Sequence, residues 1–295
     1  MKKTLLMLAL FIFIGKPLFS QIEDRFSQLA ETNATEYVQP FATTLGTAIN
    51  SGSYHTADIP SMFSFSVSFK AMYIIIPESQ KNFTPSISEA GYQTSKETAT
   101  IYGDKGAAYA GPDGYIVMPP GINQSGIPVA YPQVGASFLG TQVILRYLPK
   151  IAISEENDLT MLGIGVAHSI SQYIPLFPID LAVQGLYNNV EVSGIMKLNN
   201  FAVNVHASKT LGPLTPYVGL QYEKTSLDLD YTYKSDYQTG DPNLNVDQHI
   251  SMTVNGTNEF RATVGAALKL AVLVFNADFS LGSQPVVSGG LTFEF

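Results

Sequence analysis

The stretch that decides the fold is FSFSVSFKAMYII, residues 63–75. Its apolar residues recur at every second position: Phe63, Phe65, Val67, Phe69, Ala71, Tyr73 and Ile75. Between them lie Ser64, Ser66, Ser68 and Lys70. Because successive side chains of an extended chain point to opposite faces, this period of two predicts a β-strand with one apolar and one polar face.

Eight further segments show the same alternation of apolar and polar residues. They lie at residues 139–147, 162–171, 179–187, 201–208, 218–233, 260–270, 273–281 and 287–295. Within residues 218–233 the apolar phase moves by one residue between Tyr222 and Leu227. Such a shift turns every later side chain to the other face, so a single strand here requires a β-bulge near residues 224–226.

The composition narrows the class of protein. Only 14% of the residues are charged, against roughly 25% in an ordinary soluble domain. There is no cysteine, which excludes disulfide scaffolds, thiolate metal sites and cysteine nucleophiles. The net charge of -8 argues against nucleic acid as a partner, because such binding depends on Lys and Arg neutralising phosphates.

The first 20 residues have the features of an export signal. Lys2 and Lys3 form a positive start, residues 4–14 are an unbroken apolar run, and residues 15–20 are small or turn-forming. A membrane-spanning helix needs roughly 20 apolar residues, which argues against an anchor. We therefore expect residues 1–20 to be a cleaved signal peptide.

Two-faced strands suit both a soluble β-sandwich and a transmembrane β-barrel. The export signal, the strand lengths and the aromatic residues near the strand ends favour a barrel in the outer membrane of a Gram-negative bacterium. The chain also ends on Leu291, Phe293 and Phe295, which resemble the C-terminal signal that such barrels present to the barrel-assembly machinery. The predicted fold class is therefore all-β, an antiparallel transmembrane β-barrel surrounded by outer-membrane lipid.

The number of strands is constrained because bacterial barrels have an even number. Nine strands can be counted, so one more must lie within residues 77–134, where only residues 115–118 have an extended pattern. We expect about ten strands, with eight or twelve as alternatives. Short connections at residues 174–178, 210–214 and 270–272 should face the periplasm, and longer ones at residues 188–200 and 234–246 should face outward.

Residues 21–60 have a different pattern and precede the barrel, which we assign to residues 61–295 with a Gly/Pro-rich insertion at residues 77–134. Asn33 and Glu36 have capping-box spacing, and apolar residues recur every three to four positions as far as Ile49. This predicts an amphipathic helix that Gly52 ends and that Pro40 kinks or delays. The helix is either a plug in the barrel or a periplasmic cap on its rim.

Two resemblances rest on these features. The stretches LRYLP at residues 145–149, GIGVAH at 163–168 and QYIP at 172–175 resemble an uncharacterised outer-membrane barrel family of Bacteroidota, and this likeness implies fold and location. The N-terminal helix, the long connection after the first strand and the final phenylalanine are distantly similar to the long-chain fatty-acid outer-membrane transporter superfamily. That second likeness implies transport.

Polar residues of the strands should line the lumen, because the apolar face of each strand meets lipid. The candidate lumenal residues are Lys70, Arg146, Asp180, Gln184, Asn204, His206, Ser208, Glu223, Arg261, Asn276 and Asp278. Their charges either pair with one another and stiffen the wall or line a pathway for a ligand.

The sequence offers little other chemistry. His206 and Ser208 form a His-x-Ser pair like that of outer-membrane lipid A deacylases, but their phase faces the lumen, away from acylated lipid. The other histidines lack metal-ligand spacing. The aspartates Asp228, Asp230, Asp236, Asp241 and Asp247 could bind a divalent cation at the cell surface, but they lack the pattern of a calcium loop, which favours an acidic solvated loop. We expect no enzyme activity, no metal and no cofactor.

Two functions therefore remain open. One is the passage or binding of small hydrophobic molecules at the outer membrane, gated by the N-terminal segment or by residues 77–134. The other is a structural or interaction barrel whose outward loops contact partner proteins. A lumenal His/Ser lipid hydrolase is a remote third alternative.

Overall fold

The computed structural model describes residues 31–87, 91–92, 96–112, 114–153, 157–233 and 248–295. The expected signal peptide and the loop at residues 234–246 lie outside these residues. One helix, α1 (Glu31–Asn50), precedes all the strands. The strands are β1 (Ser64–Ile75), β2 (Asn82–Phe83), β3 (Thr98–Ala99), β4 (Ala108–Gly111), β5 (Gly114–Val117), β6 (Gly126–Phe138), β7 (Thr141–Ala152), β8 (Asp158–Ser169), β9 (Asp180–Val192), β10 (Met196–Ser208), β11 (Leu214–Tyr233), β12 (Gln248–Asn255), β13 (Phe260–Leu270), β14 (Leu273–Leu281) and β15 (Val286–Glu294).

Ten strands close into an antiparallel barrel, which confirms the predicted fold class. Their order around the wall is β1, β6, β7, β8, β9, β10, β11, β13, β14 and β15, and β15 pairs back onto β1. The long strand β11 pairs with β13 near its start and with β12 near its end. A closed ring suits a membrane because every backbone N–H and C=O in lipid needs a partner within the protein.

The two ends of the barrel differ. The connections β6–β7, β8–β9, β10–β11 and β13–β14, which have two to ten residues, lie at the end where β1 starts and β15 stops, which we call the inner end. The chain terminus is tied there, since the backbone N–H groups of Phe65 and Phe295 each donate to the other's carbonyl. The connection at residues 76–125, with its hairpins β2–β3 and β4–β5, lies at the opposite, outer end. Long connections face outward in such barrels, so we expect the inner end to face the periplasm.

The tenth barrel strand is β6, which lies at a different place in the sequence from the one we expected. Residues 115–118, the stretch that we expected to be extended, belong mainly to the small hairpin strand β5 outside the barrel wall. Strand β6 begins at residue 126, inside the stretch assigned to the insertion, and it contains Pro128 and Pro132. Both prolines face outward and are exposed, and their presence hid the alternation.

The expected β-bulge near residues 224–226 is wrong. Strand β11 pairs with β10 in one unbroken register, from Ser208 opposite Tyr217 to Met196 opposite Leu229. Leu227 and Leu229 are buried and point into the lumen. The apolar phase changes because the lumenal face itself becomes apolar in the outer half, where it packs against α1.

The expected long outward loop at residues 188–200 is also wrong. Strand β9 continues to Val192 and β10 begins at Met196, so a tight turn joins them. Asn188 and Asn200, which have the composition of a loop, are fully buried on the lumenal face. Their amide groups form hydrogen bonds with other lumenal groups, in place of the water that bonds to an asparagine in a loop.

Helix α1 lies inside the barrel, in the outer half of the lumen. Its buried residues include Tyr37, Val38, Phe41 and Ile49, which pack against inward-facing side chains of the wall. Asn33 does not cap the helix as expected, because the described helix already includes it and its side chain bonds to Ser86 in the insertion. No helix among the described residues combines the length and apolarity needed to cross a membrane.

The N-terminal segment therefore runs through the barrel from the outer end to the inner end. Thr32 is exposed beside the insertion, whereas Asp58 is exposed at the inner end.

Since the chain has no cysteine, we expect a membrane-impermeant maleimide to label Thr32→Cys on intact cells. Asp58→Cys should react only after the outer membrane is permeabilised. Labelling of Asp58→Cys alone on intact cells would mean that the barrel sits in the membrane the other way round.

Candidate functional site in the barrel lumen

The lumen has an apolar outer half and a polar inner half. Inward side chains of the outer half form one apolar cluster with α1, comprising Met72, Ile74, Val129, Leu148, Met161, Val190, Leu198, Leu227, Leu229, Val254 and Val286 among others. Below them lies a layer of buried polar side chains that we call the polar layer: Lys70, Gln133, Arg146, Asn188, Asn200, Gln221, Glu223, Arg261, Asn276 and Asp278. The end of α1 meets this layer.

The side chain of Arg146 binds backbone carbonyls at the end of α1. Its Nη1 donates to the carbonyl of Ile49 at 2.5 Å, and its Nη2 lies 3.4 Å from the carbonyl of Ser51. Tyr131 Oη donates to the same Ser51 carbonyl at 2.5 Å. The last carbonyls of a helix have no intrahelical partner, so these contacts satisfy groups that would otherwise be buried without a partner.

A buried ion pair holds the end of α1 from the other side of the lumen. Arg261 Nη2 donates to Glu223 Oε1 at 2.7 Å and to Glu223 Oε2 at 3.0 Å, and both side chains are almost completely buried. Arg261 also bonds to the carbonyl of Thr47 at 3.0 Å and to the hydroxyl of Ser51. Removing one partner of such a pair leaves a buried charge uncompensated, which typically costs about 3–5 kcal/mol.

Amide side chains complete the attachment of α1. Asn50 Nδ2 donates to Asn200 Oδ1 at 2.8 Å, and Asn200 Nδ2 donates to the carbonyl of Gly46 at 2.9 Å. Thr225 donates to the same Asn200 oxygen at 3.1 Å. A network in which each member has its partner makes the position of the helix specific.

Beyond α1, the segment at residues 51–63 descends through the polar half to the inner end. Tyr54 stacks on the imidazole of His206 with ring centroids 4.2 Å apart and meets Tyr217 edge to face. The hydroxyl of Ser208 accepts from the backbone N–H of Ala57 at 2.9 Å. These contacts fasten the descending segment to β10 and β11.

A second attachment lies at the inner end. His55 Nε2 is 2.9 Å from Glu294 Oε1, and Lys269 Nζ donates to Glu294 Oε2 at 2.7 Å. Burial lowers the pKa of His55, against the opposing effect of Glu294. A cavity of about 230 Å³ lies here between the segment and the wall, with Ser53, Ser66 and Glu294 in its lining.

Ten of the eleven candidate lumenal residues share one environment in the structure. Lys70, Arg146, Gln184, Asn204, His206, Ser208, Glu223, Arg261, Asn276 and Asp278 are all buried on the inward face. Asp180 is separate from them, half-buried at the start of β9 near the inner rim. Lys70 donates to Asn276 at 3.1 Å, and Tyr217 donates to Asp278 at 2.8 Å.

The sequence analysis missed the residues that belong to no clear alternation. Asn188 and Asn200 have the composition of a loop, Gln133 lies in the strand hidden by prolines, and Tyr54 precedes the barrel. Tyr131 and Tyr217 face inward, although an aromatic residue in a barrel strand indicates the lipid face. Knowledge of which strands pair would have given the correct inward phase of Gln133, Tyr131 and Tyr217.

The His-x-Ser pair does not have the geometry of a catalytic site. His206 Nδ1 lies 2.8 Å from Asn204 Oδ1, and Ser208 bonds to Thr56 and Ala57 of the descending segment. A nucleophile needs a hydrogen bond to its base, and these two side chains each bond elsewhere. Among the described residues, no group of three or more His, Asp or Glu side chains forms a metal site.

The closed antiparallel wall, the lipid-facing apolar residues and the filled lumen define an outer-membrane-type β-barrel with an internal plug. The chain belongs to the DUF6588 family, a family of unknown function whose profile matches residues 1–295. No curated protein matches the chain.

Several solved outer-membrane barrels are similar to this chain at low identity. Neisserial surface protein A has 10% identity and a TM-score of 0.25, and the match covers 78% of this chain and 97% of that one. Ail, the attachment invasion locus protein of Yersinia pestis, has 9% identity and a TM-score of 0.21, covering 79% and 99%. The translocator domain of NalP from Neisseria meningitidis has 11% identity and a TM-score of 0.28, covering 90% and 99%. The likeness to Bacteroidota proteins and to fatty-acid transporters stays a prediction.

Two glycines test how closely the descending segment fits the wall. A Cβ added to Gly219, on the inward face of β11, would collide with Tyr54 Oη, whereas a Cβ at Gly185 would meet nothing within 4 Å. We expect Gly219→Ala to lower the free energy of unfolding by about 1–3 kcal/mol through overpacking. The matched control Gly185→Ala should leave it unchanged or raise it by about 0.5–1 kcal/mol. Urea unfolding in vesicles measures both, and equal stability of the two variants would contradict the fit.

Proposed function

We propose that this protein binds small hydrophobic molecules at the outer membrane and that α1 gates their passage. The observation that carries the proposal is the apolar lining of the outer half of the lumen. The interior of a barrel that conducts polar solutes is polar. Here, the space that α1 occupies would become an apolar chamber once the helix moves.

The resting state should be closed. Tyr37, Val38, Phe41 and Ile49 of α1 are each at most 5% exposed. Burial of an apolar side chain of this size stabilises by about 1.5–3 kcal/mol, so these four contribute about 6–12 kcal/mol. A hydrophobic ligand that replaces part of this contact area offsets part of the cost of moving α1, and it thereby favours the open arrangement.

A second candidate is a sealed barrel that presents its outer end to partner proteins. It is favoured by the attachment of the insertion to α1: Asn33 and Ser86 exchange two hydrogen bonds at 2.9 and 2.8 Å, and Ile101 N–H donates to the carbonyl of Tyr37 at 3.0 Å. Tyr115 and Val117 of β5 are exposed on this surface. In this case α1 would never leave the lumen.

Both candidates share the same route to the membrane. We infer export with a cleaved signal peptide, recognition of Leu291, Phe293 and Phe295 by the barrel-assembly machinery, and residence in the outer membrane of a Gram-negative bacterium. The outward position of Phe293 and Phe295 supports this, since both are exposed on the face that meets lipid. Nucleic acid has no role in either candidate.

A disulfide between α1 and the β12–β13 connection distinguishes the two candidates. The hydroxyl oxygens of Thr43 and Thr257 are 3.2 Å apart, close enough for a Thr43→Cys/Thr257→Cys pair to form a bond with small adjustments. We expect the oxidised variant in vesicles to bind the fluorescent probe N-phenyl-1-naphthylamine about tenfold more weakly than the reduced variant. The physical reason is that the ligand can no longer displace the helix.

The reduced double variant is the matched control, because it differs only in the disulfide bond. A single-cysteine variant, Thr257→Cys, controls for the oxidant. Equal probe binding by the oxidised and reduced forms would refute gating by α1 and leave the sealed barrel as the better description.

A further inference from the structure

A cavity at the inner end separates the descending segment from the barrel wall. Its volume is about 230 Å³. Water occupies about 30 Å³ per molecule in the liquid, so this volume equals that of about eight waters. Pockets for drug-sized ligands measure about 300–1,000 Å³. The cavity therefore fits a smaller molecule, of the size of one sugar ring.

The cavity opens at the inner rim of the barrel. Asp58, Pro60, Thr210 and Gly212 belong to its lining and are exposed there. Helix α1 lies in the outer half of the lumen, so a molecule that enters from the inner end reaches the cavity without passing the helix. The cavity is thus separate from the apolar chamber that α1 occupies.

The lining of the cavity consists mainly of neutral groups that form hydrogen bonds. Eight of the lining residues are serine or threonine, and two are glutamine. The most deeply buried of these ten are Ser53, Ser68, Gln133, Ser137 and Thr215. Hydroxyl and amide groups can each both donate and accept, which suits the hydroxyl groups of a polyol.

Two buried side chains on opposite sides of the cavity have hydrogen-bonding capacity that the protein does not use. Ser53 of the descending segment is only 3% exposed, and its hydroxyl has no hydrogen-bond partner among the described residues. Gln133 of β6 accepts from Arg146 through Oε1, and this leaves its Nε2 free to donate into the cavity. A buried polar group without a partner is costly, so a ligand that supplies partners here gains affinity.

The charged groups of the cavity favour a neutral ligand. Lys269 is the only lysine or arginine among the described residues of the lining, and its ammonium already donates to Glu294 at 2.7 Å. His55 bonds to the other oxygen of the same carboxylate at 2.9 Å. An anion would compete with Glu294 for Lys269 and would also meet the carboxylate of Asp58, whereas a neutral molecule needs no counter-charge.

We propose that this cavity binds a neutral polyhydroxylated molecule of the size of one sugar ring. Hydroxyl groups of the ligand bond to Ser53 on the descending segment and to Gln133 and Ser137 on the wall, so the ligand holds segment and wall together. The site goes beyond the proposed function, because it lies at the other end of the lumen and takes a ligand of opposite polarity.

Three probes of similar size test the chemistry of the ligand. D-Glucose is a neutral polyol, D-glucuronate adds one carboxylate, and cyclohexanol keeps a six-membered ring with a single hydroxyl. Binding is measured by saturation-transfer difference NMR on the full barrel in lauryldimethylamine oxide, a detergent without a sugar headgroup. We expect D-glucose to bind at least about tenfold more tightly than either of the other probes.

A pair of matched variants locates the site. Ser53→Ala should weaken D-glucose binding about three- to tenfold, because one hydrogen bond to the ligand is lost. It should leave the barrel folded, since the hydroxyl that it removes has no partner in the protein. Thr47→Val is the control, because it removes another buried hydroxyl to which the described residues offer no partner, on α1 and outside the cavity lining. It should leave D-glucose binding unchanged.

A third variant fills the cavity. Ser66 is a half-buried lining residue of β1, and the longer, flexible side chain of Ser66→Met should occupy the space and abolish D-glucose binding. If Ser66→Met does not fold, the comparison of Ser53→Ala with Thr47→Val decides the location.

The contrary results are equally clear. Absence of D-glucose binding by the unaltered protein overturns the site. Equal binding of D-glucose and cyclohexanol overturns the polyol, and equal binding of D-glucuronate overturns the neutral ligand. Equal D-glucose binding by the Ser53→Ala and Thr47→Val variants overturns the location. Binding of N-phenyl-1-naphthylamine tests the proposed function separately, so either conclusion can fail without the other.

Discussion

A ten-stranded barrel encloses more space than its wall side chains fill, and this constraint governs the rest of the molecule. The wall has to close because backbone groups in lipid find no water, and closing it with ten strands creates a lumen wider than that of the smallest barrels. The chain fills this lumen with its own N-terminal segment. Three sets of contacts hold this segment in place: the apolar cluster of the outer half, the polar layer and the attachment at the inner end.

The polar layer works because its amide side chains bond to the end of α1 and to one another. Backbone carbonyls at the end of α1 receive Arg146 and Arg261, and the amides of Asn50 and Asn200 bond to each other. Such satisfaction gives the segment one position instead of several.

The sequence predicts the parts of the fold where one physical rule acts alone. Strand β1 alternates apolar and polar residues as far as Lys70, and its predicted phase is correct from Phe65 to Ile75 because the outward face meets lipid throughout. Prediction fails where a second partner changes the rule. Leu227 is apolar on the lumenal face because α1 packs there, and Pro132 is tolerated because β6 lacks a partner on one side. Asn188 resembles a loop residue because a short sequence window contains no information about the buried amides that it meets. The lumenal charges were predictable from phase alone, but their partners come from distant strands.

The threaded path of the N-terminal segment has a consequence for biogenesis. The ring is completed by β1 and β15, which stand at opposite ends of the barrel sequence, so it cannot shut until the last strand has been made. The segment is joined directly to β1 and already lies within the curve of the growing sheet. Sealing the ring around it avoids moving buried polar residues of the segment, such as Asn50 and Ser51, through the apolar outer half of the lumen. Pairing of β15 with β1 encloses the segment, so the segment has to be in place before the ring closes.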